Sequence, residues 1–239
     1  MSSPILLDTA LAMTLAVSST GITIPLIIWP TDDSTWNPVY ESILAHPNIG
    51  LITGVSKLNS YHNIQVIGYI ATNYAEREQA EVNSQIALYS GWSSYTAKNI
   101  SVSGMFFDEA SHTNDNTKIS YMQSISAKAK SRNLNTVVFN PRTTLEIGSA
   151  TEYFKAADMI VEFEKTYSEW TSAIPANEFS SSDNYENDAI IIHSAPPTAD
   201  YKAVVQKAQS MGLGALYLTS SDDYKPIDTL PKLAASFVQ

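Results

Sequence analysis

The stretch Val102-Ser-Gly-Met-Phe-Phe-Asp-Glu-Ala110 is an apolar run that ends in two adjacent carboxylates. A run of this kind is typical of a strand, so Asp108 and Glu109 lie where the strand leaves the core. A buried charge without a partner would be costly, and two carboxylates at this point therefore indicate a site. A second carboxylate of the same kind is Glu164, which ends the run Ile160-Val-Glu-Phe-Glu164.

Similar short apolar runs recur along the chain, and they predict eight strands. Most are nearly continuous and rich in β-branched or aromatic residues, which is typical of strands covered on both faces. The predicted strands are Ile22–Trp29, Ile49–Val55, Gln65–Ala71, Val102–Phe107, Thr136–Asn140, Met159–Phe163, Ala189–His193 and Gly214–Thr219. Helical spacing or composition predicts helices at Ala75–Trp92, Asn116–Ser131, Tyr201–Met211 and Pro231–Phe237.

Strands that alternate with helices indicate the α/β class, and eight of them favour a TIM-like (β/α)8 barrel. The first two repeats are the least regular, because the segment between Val55 and Gln65 is short for a crossover helix. A doubly wound sheet is the competing arrangement, and periodicity does not separate the two. No glycine-rich phosphate loop follows any strand, which removes the usual nucleotide-binding reason for a doubly wound sheet.

The predicted domain organisation is a leader or N-terminal extension at residues 1–20 and a single catalytic (β/α)8 domain at residues 21–239. Residues 5–17 are apolar like the core of a signal peptide, but Asp8 interrupts them and no Lys or Arg precedes them. The polar segment Asn177–Asp188 is predicted to be a surface loop. An extracellular or cell-wall location is expected, with a cytoplasmic location as the alternative.

Composition excludes several classes of function. The net charge is −10, and the 14 Lys and Arg residues are scattered, so no nucleic-acid partner is expected. The sequence has no Cys and no His pair at ligand spacing, which predicts no disulfide, no metal and no other cofactor. No stretch approaches the ~20 apolar residues of a membrane span. A monomer is expected.

The candidate site is assembled from strand ends, because the carboxyl ends of barrel strands converge on one face. The candidate catalytic residues are Asp108, Glu109 and Glu164, and the candidate substrate-binding residues are Trp29, Tyr69, Asn140, Tyr167, Trp170, His193 and Tyr217. Paired carboxylates supply the acid and the anion that hydrolysis of a glycosidic bond needs. Aromatic, amide and hydroxyl groups suit a sugar ring, which has an apolar face and a polar edge.

Each candidate also has a purely structural explanation. Two carboxylates after a strand are also found as solvated loop charges or as a helix N-cap. Glu164 has possible ion-pair partners in Lys165 and Arg142. The remaining alternatives are a satisfied strand-end histidine for His193, core packing for Trp29 and Tyr69, and a turn cap for Asn140.

Strand parity separates the two neighbouring carboxylates. Successive side chains point to opposite faces, so Asp108 and Glu109 face the barrel axis together only if the strand bends. The hypothesis is that Asp108 carries the chemistry and that Glu109 supports it. Parity also places Glu162 on the face of Glu164, where it is either a supporting partner or is turned aside by a bulge.

At these residues the chain resembles the spherulin-4-like proteins, which form glycoside hydrolase family 135 and are related to family 114. The resemblance runs from about Ile22 to the C-terminus. Its motifs are Ile24–Pro30, Val66–Thr72 with Arg77, Gly104–Glu109, Val138–Pro141, and Phe163-Glu164 with Tyr167 and Trp170, followed by His193 and Tyr217.

The resemblance implies a TIM-like barrel and endo-acting hydrolysis of fungal α-1,4-linked galactosamine and N-acetylgalactosamine polymers, the galactosaminogalactan class. It implies a polysaccharide partner and an acidic site at Asp108, Glu109 and Glu164. The hypothesis makes Glu164 the general acid/base and Asp108 the nucleophile or charge stabiliser, with Glu109 placing the acetamido group. The alternative is a substrate-assisted route, in which the acetamido oxygen attacks and Asp108 orients it.

The chain departs from the family pattern at three places. Arg142 replaces a small residue, Thr53–Asn59 replaces a glycine-rich loop, and Glu162 replaces an apolar residue. The altered loop and Arg142 suit the rival hypothesis, a non-catalytic carbohydrate-binding or spore-wall structural protein on the same barrel. A third hypothesis is a metal-dependent hydrolase that uses the three acidic residues and His193.

Overall fold

The computed structural model describes residues 11–15, 21–26, 51–174, 178–180, 185–224 and 229–237. Within these ranges eight strands close into a barrel. The strands are β1 (Leu11–Leu15), β2 (Gly21–Leu26), β3 (Ile64–Ala71), β4 (Gly104–Asp108), β5 (Thr136–Asn140), β6 (Met159–Thr166), β7 (Asp188–His193) and β8 (Ala215–Leu218). The α-helices are Leu51–Leu58, Gln79–Gly91, Asn116–Lys130, Ala150–Ala156, Tyr167–Thr171, Tyr201–Met211 and Leu230–Phe237.

Six consecutive parallel strands, β3 to β8, alternate with helices and form most of the barrel wall. The order around the wall is β1-β2-β8-β7-β6-β5-β4-β3. The strand β2 pairs in parallel with β8, whereas β1 is antiparallel to both β2 and β3 and closes the wall between them. The predicted TIM-like α/β fold is therefore confirmed, and its irregular part is the beginning, as predicted.

The predicted second strand, Ile49–Val55, is wrong. A helix occupies Leu51–Leu58 instead, and both Val55 and Leu58 are fully buried. Their spacing places both side chains on one face of a helix, but a short apolar run does not reveal that period. The eighth strand is β1, which falls within residues 1–20, where no strand was predicted.

The two strands β4 and β5 are covered on both faces, as their continuous apolar sequence predicts. Every residue of β4 is buried. Phe107 packs edge-on against Phe139 with 6.0 Å between the ring centroids, and Phe139 packs against Tyr153 of a covering helix. A Cβ on Gly104 would lie only 2.0 Å from the carbonyl oxygen of Thr136, so this close approach of β4 to β5 requires glycine.

Helix ends follow the local sequence signals. The side chain of Asp115 accepts the backbone N–H groups of Thr117 and Lys118 at 2.8 and 3.0 Å, which begins the helix Asn116–Lys130. Gly212 ends the helix Tyr201–Met211 in the left-handed region at φ 78°, and the sequence predicts this stop. No helix in the described ranges is both long enough and apolar enough to cross a membrane.

The segment Asn177–Asp188, which was predicted to be a surface loop, is partly buried. The structure describes its residues 178–180 and 185–188. Glu178 is buried and forms an ion pair with a lysine of β6, and Asp188 is fully buried at the start of β7. The prediction was wrong for Glu178 and Asp188, which are buried, whereas Glu186 and Asn187 are exposed as predicted.

Candidate active site

Asp108 is the last residue of β4, and its buried carboxylate accepts hydrogen bonds from three side chains. The hydroxyl of Tyr69 on β3 donates to Oδ2 at 2.7 Å, and Nδ2 of Asn140 on β5 donates to Oδ1 at 2.9 Å. The guanidinium of Arg142 donates to Oδ2 at 3.0 Å. Because all three partners are donors and one is a cation, the site presents Asp108 as an anion with both oxygens engaged.

Glu164 lies two strands away on β6 and is bound by an overlapping set of donors. Its Oε2 accepts from Nδ2 of Asn140 at 2.7 Å, and its Oε1 accepts from the hydroxyl of Tyr224 at 2.6 Å. The Nε atom of Arg142 lies 3.8 Å from Oε1. One amide and one guanidinium therefore contact both carboxylates.

The amide of Asn140 fixes the distance between the two acids. Its Oδ1 accepts the backbone N–H of Arg142 at 3.1 Å, which directs its NH2 group at the carboxylates. The facing oxygens of Asp108 and Glu164 cannot be farther apart than the 2.9 and 2.7 Å bonds placed end to end. This limit on the two nearest oxygens is close to the ~5–5.5 Å that separates the carboxyl groups of retaining pairs.

A β-bulge in β6 brings Glu164 onto the inner face of the barrel. The register of β6 against β7 shifts between Val161 and Phe163, so Glu162 is the extra residue. In a regular strand Val161 and Glu164 would face opposite sides, but the bulge lets both face the same side. The prediction that Glu162 shares the face of Glu164 is wrong, and the alternative of a bulge is correct.

The carboxylate of Glu162 has a structural role outside the candidate site. It is fully buried, and its Oε1 accepts the backbone N–H of Leu145 at 2.9 Å. Ser180 donates its backbone N–H at 2.7 Å and its hydroxyl at 2.6 Å to the two oxygens. Glu162 therefore ties two loops to β6.

Glu109 is placed differently from Asp108, as strand parity predicts. Its backbone is left-handed at φ 49°, which ends the strand, and its carbonyl accepts the hydroxyl of Thr72 at 2.7 Å. Within the described ranges its carboxylate forms no hydrogen bond or ion pair. Glu109 thus lies at the rim without joining the network around Asp108.

Left-handed backbone is concentrated at this end of the barrel. The non-glycine residues that follow strands β3, β4, β5, β7 and β8 with positive φ are Asn73, Tyr74, Ala75, Glu109, Arg142, Ser194 and Tyr224. Such residues cost of order 1–3 kcal/mol each and cluster at functional sites, where the surrounding structure holds them. The clustering supports a functional rim at the carboxyl ends of the strands.

Tyr69 and Tyr224 each donate a hydrogen bond to one of the two carboxylates. Burial raises the pKa of Tyr69 well above its ordinary value, and the charge of Asp108 raises it further. Burial and then the charge of Glu164 raise the pKa of Tyr224 in the same way. Both hydroxyls therefore keep their protons at neutral pH and donate to the carboxylates.

We expect the protein to lose stability as the pH rises above about 10. Burial raises the pKa of Tyr89 from 10.0 to about 12, and the pKa values of Tyr69 and Tyr224 are also raised. Above pH ~10 the unfolded chain releases these protons while the folded chain keeps them, so the free energy of unfolding falls by about 1.4 kcal/mol per pH unit for the buried Tyr89. The fall is smaller for Tyr69 and Tyr224, because solvent screens their partly exposed side chains.

Urea unfolding between about pH 9 and pH 11 measures this slope. The stabilising contribution is complete below the unfolded pKa and is lost as the pH rises toward the folded pKa. Tyr69→Phe removes one of the three groups, and its slope should be shallower than that of the wild type. A wild-type slope that is flat across this range would contradict the burial argument.

Two other candidates lie nearby but contact neither carboxylate. His193 ends β7, and its ring centroid lies 6.1 Å from that of Tyr224 in an edge-on arrangement. Its Nδ1 is hydrogen bonded to the hydroxyl of Ser194 at 2.9 Å. The hydroxyl of Tyr167 accepts the backbone N–H of Asp200 at 3.0 Å, so it supports the helix that follows.

Two aromatic predictions are not supported by the geometry. Trp170 is buried and packs edge-on against Phe163 with 5.3 Å between the ring centroids, with the ammonium of Lys207 4.5 Å from its own centroid. Its helix begins directly after β6, which turns the ring back onto the barrel wall. Tyr217 is fully buried in β8. Neither ring is open to a polysaccharide, and Trp29 lies outside the described residues.

Sequence reasoning missed Tyr224 and gave Arg142 only a structural or divergent role. The last candidate residue was Tyr217 in the predicted strand Gly214–Thr219, seven positions before Tyr224. Tyr224 could have been predicted because it is a tyrosine in the loop after the last strand, and the loops after barrel strands form the active site. Arg142 follows Asn140 and Pro141, and a cation after a polar strand end is a natural partner for two acids.

A metal centre does not fit these residues. Within the described ranges no group of three or more His, Asp or Glu residues could hold a metal ion. The carboxylate oxygens instead face hydroxyl, amide and guanidinium donors, and the guanidinium would repel a cation. The hypothesis of a metal-dependent hydrolase therefore has no support in this geometry.

Comparison with known proteins gives one family and one matching fold. The sequence profile of the spherulation-specific family 4, Spherulin4, matches residues 50–239. Spherulin-4 from Physarum polycephalum is 26% identical over 211 residues, which cover 84% of this chain and 57% of that protein. The crystal structure of Aspergillus clavatus Sph3 in complex with GalNAc superposes with a TM-score of 0.76 at 23% identity, covering 89% of this chain and 94% of that one.

The profile match extends across the strands that hold the acidic pair and across the described residues that contact it, from Tyr69 to Tyr224. The chain spans little more than half the length of the Physarum relative, so the comparison concerns the barrel only. The match to Sph3 supports the same fold from an independent direction. On this evidence the chain belongs to the spherulation-specific family 4, the spherulin-4 family that its strand-end motifs resemble.

Proposed function

We propose that this protein is a glycoside hydrolase that cuts within polysaccharides of α-1,4-linked galactosamine and N-acetylgalactosamine. The observation that carries the proposal is the pairing of Asp108 and Glu164 through one amide nitrogen of Asn140. A close pair of carboxylates at the carboxyl ends of barrel strands is what a retaining glycosidase requires. The two acids also have unequal surroundings, which suits two different roles.

Asp108 is the better anion of the two because it accepts a direct hydrogen bond from the Arg142 guanidinium. In the proposed reaction an oxygen of Asp108 attacks the anomeric carbon while the glycosidic C–O bond breaks. Glu164 gives its proton to the leaving oxygen. Water then attacks the same carbon, Glu164 takes back a proton and Asp108 leaves, so the anomeric configuration is retained.

A substrate-assisted variant uses the acetamido oxygen of the sugar as the nucleophile, with Asp108 orienting it. It also retains the configuration, and it needs the same proton transfer by Glu164. Glu109, at the rim with a carboxylate that is free within the described ranges, is proposed to place the acetamido or amino group. The net charge of −10 suits the cationic units of a partly deacetylated polymer.

The comparisons support the class of substrate. The Sph3 structure that shares this fold was determined with GalNAc bound, and GalNAc is the acetylated unit of the proposed polymer. At 23% identity that likeness shows the fold. We also propose that the protein acts as a monomer outside the cell or at the cell wall, where such polymers occur. Immunodetection in culture filtrate and wall fractions, with sedimentation of the purified protein, tests this.

A second candidate function is binding of the glycan without hydrolysis. The observation that favours it is Arg142, which lies within ion-pair distance of both carboxylates and stabilises their charged forms. A general acid must hold a proton, and a permanent cation beside it opposes this. In a binding protein the guanidinium would balance the charge of the carboxylates, and the same polar groups would form hydrogen bonds to a sugar.

Release of reducing ends separates the two functions. We expect the wild type to release reducing ends from galactosaminogalactan and not from chitin or galactan, because only the first has the proposed sugar and linkage. Isothermal titration with the same polymers measures binding independently. Binding of galactosaminogalactan without any release of reducing ends would select the non-catalytic function.

A further inference from the structure

Glu164 has two hydrogen-bond partners that differ in chemistry, and the Arg142 guanidinium lies farther away, 3.8 Å from its Oε1. Its Oε2 faces the NH2 group of Asn140, which can donate a hydrogen bond but cannot accept one. Its Oε1 faces the hydroxyl of Tyr224, which can donate or accept. A proton on Oε2 would therefore point at another donor and make no hydrogen bond. A proton on Oε1 can donate to the oxygen of Tyr224 when the Tyr224 hydroxyl rotates.

The surroundings of Asp108 lack this freedom. Its Oδ1 faces the same amide, and its Oδ2 accepts both the hydroxyl of Tyr69 and the guanidinium of Arg142. A proton on Oδ1 would face the amide NH2, and a proton on Oδ2 would compete with the guanidinium that binds this oxygen at 3.0 Å, whereas the same guanidinium lies 3.8 Å from Oε1 of Glu164. The two carboxylates, similar in sequence context, are thus made different by the partners of their outer oxygens.

We infer that Tyr224 is a positioning residue that keeps the catalytic proton of Glu164 on Oε1, the oxygen that faces the leaving oxygen. This inference rests on the proposed function. When the glycosidic bond breaks, the O–H bond at Oε1 breaks with it and the proton moves to the leaving oxygen, which keeps the electron pair of the C–O bond. Water later returns a proton to Oε1. The hydroxyl of Tyr224 accepts from Oε1–H before the polymer binds, the leaving oxygen replaces it as the acceptor for the transfer, and the hydroxyl donates to the carboxylate once the proton has moved.

The backbone supports a specific placement of Tyr224. It lies in the loop after β8 in the left-handed region at φ 57°, a conformation that costs energy for a tyrosine. Burial and the neighbouring carboxylate keep its hydroxyl protonated, as its raised pKa indicates. The charged or titratable groups nearest to Glu164 are Arg142 and, through Asn140, Asp108, while His193 flanks the Tyr224 ring.

The variant Tyr224→Phe tests the inference with two substrates. One is the galactosamine polymer, and the other is an aryl glycoside of the same oligosaccharide, whose leaving group departs without protonation. We expect kcat on the polymer to fall by about 10- to 100-fold, a part of the usual contribution of general acid catalysis. On the aryl glycoside kcat should change by no more than about threefold, since no proton transfer to the leaving group is needed.

The pH profile gives a second signature. Without the hydroxyl the carboxylate loses a donor, so the alkaline limb of kcat/KM in Tyr224→Phe should move to higher pH. Replacement of Tyr224 by 3-fluorotyrosine, a more acidic phenol of nearly the same shape, should move that limb to lower pH. If Tyr224 only filled space, the alkaline limb would move in neither direction. The fluorinated variant also tests the inference if Tyr224→Phe does not fold.

Two variants serve as controls. The hydroxyl of Tyr121 donates to the backbone carbonyl of Arg77 at 2.8 Å, away from the acidic pair, so Tyr121→Phe should leave both rates unchanged. Tyr69→Phe removes a donor from Asp108, and it should slow both substrates about equally because Asp108 acts at the sugar carbon in each. Thermal unfolding verifies that every variant is folded.

The outcomes separate the inference from the function on which it rests. An equal loss on both substrates in Tyr224→Phe, or no loss and no movement of the alkaline limb, overturns the role of Tyr224 and leaves the hydrolase intact. A wild type that hydrolyses neither substrate overturns the proposed function and the inference with it. A selective loss on the polymer together with opposite movements of the limb in the two variants supports the inference.

Discussion

Asp108→Asn and Glu164→Gln should each lower hydrolysis of the galactosamine polymer by about 10³-fold or more while the protein remains folded. Asp108→Asn removes the anion that meets the sugar carbon, and Glu164→Gln removes the proton for the leaving oxygen. Both substitutions keep the size of the side chain. Initial rates of reducing-end release, measured beside thermal unfolding, check the expectation.

The comparison variant is Glu109→Gln. Its carboxylate stands at the same rim but makes no hydrogen bond or ion pair within the described ranges, so we expect a change mainly in KM, of about tenfold or less. The ranking therefore distinguishes the bridged pair from a third acid next to it. Full activity in either Asp108→Asn or Glu164→Gln would refute the assignment of that residue. Equal losses in all three variants would mean that the bridged pair has no special role.

Glu162→Ala should destabilise the fold by about 3–5 kcal/mol, which is a large part of the 5–15 kcal/mol that typically stabilises a domain. The truncation leaves the buried backbone N–H of Leu145 and the partly buried backbone N–H of Ser180 without their acceptor. Glu162→Gln is expected to cost about 1–3 kcal/mol, because an amide NH2 would confront one of those N–H groups. Urea unfolding monitored by fluorescence measures both values.

The control for this series is Glu81→Gln. Glu81 is exposed and its ion pair with Arg77 is long, at 3.5 Å, so the free energy of unfolding should change by no more than ~0.5 kcal/mol. If Glu162→Ala were as mild as Glu81→Gln, the two loops would not depend on this carboxylate. The Glu162 variants should also reduce activity only in proportion to unfolding, since Glu162 lies outside the acidic pair.

The strand β4 shows what a local pattern can predict. Its apolar run, its end at two carboxylates and the different directions of those carboxylates all follow from residue type and from a period of two. Asn140 was predictable for the same reason, since it is the polar residue that ends the next apolar strand. The barrel itself follows from repeated runs of this kind separated by helical spacing.

The bulge in β6 marks the limit of such reasoning. Counting by two from Glu164 places Glu162 in the barrel, and only the register against β7 reveals the extra residue. The helix Leu51–Leu58 was missed because a run of seven residues fits either period. Trp170 was predicted to bind substrate but is buried, because a helix begins immediately after β6 and the direction of the ring depends on that junction.

Tyr224 lies beyond sequence reasoning for a different reason. It is separated from Glu164 by 60 residues, and the contact depends on a loop turned by a left-handed residue. No spacing rule relates the two positions. Arg142 is a similar case, because its importance arises only once β4 and β6 bring both carboxylates to it.

The most direct test of the account is the anomeric form of the first product, read by proton NMR within the first minutes of hydrolysis of the α-linked polymer. Asn140 holds the facing oxygens of Asp108 and Glu164 at a separation typical of retaining enzymes, and both the direct and the substrate-assisted routes keep the configuration. We therefore expect the α anomer to appear first and the β anomer only later, by mutarotation. A β anomer that appears first would contradict the account, because it would mean inversion by water between carboxylates too close to admit it.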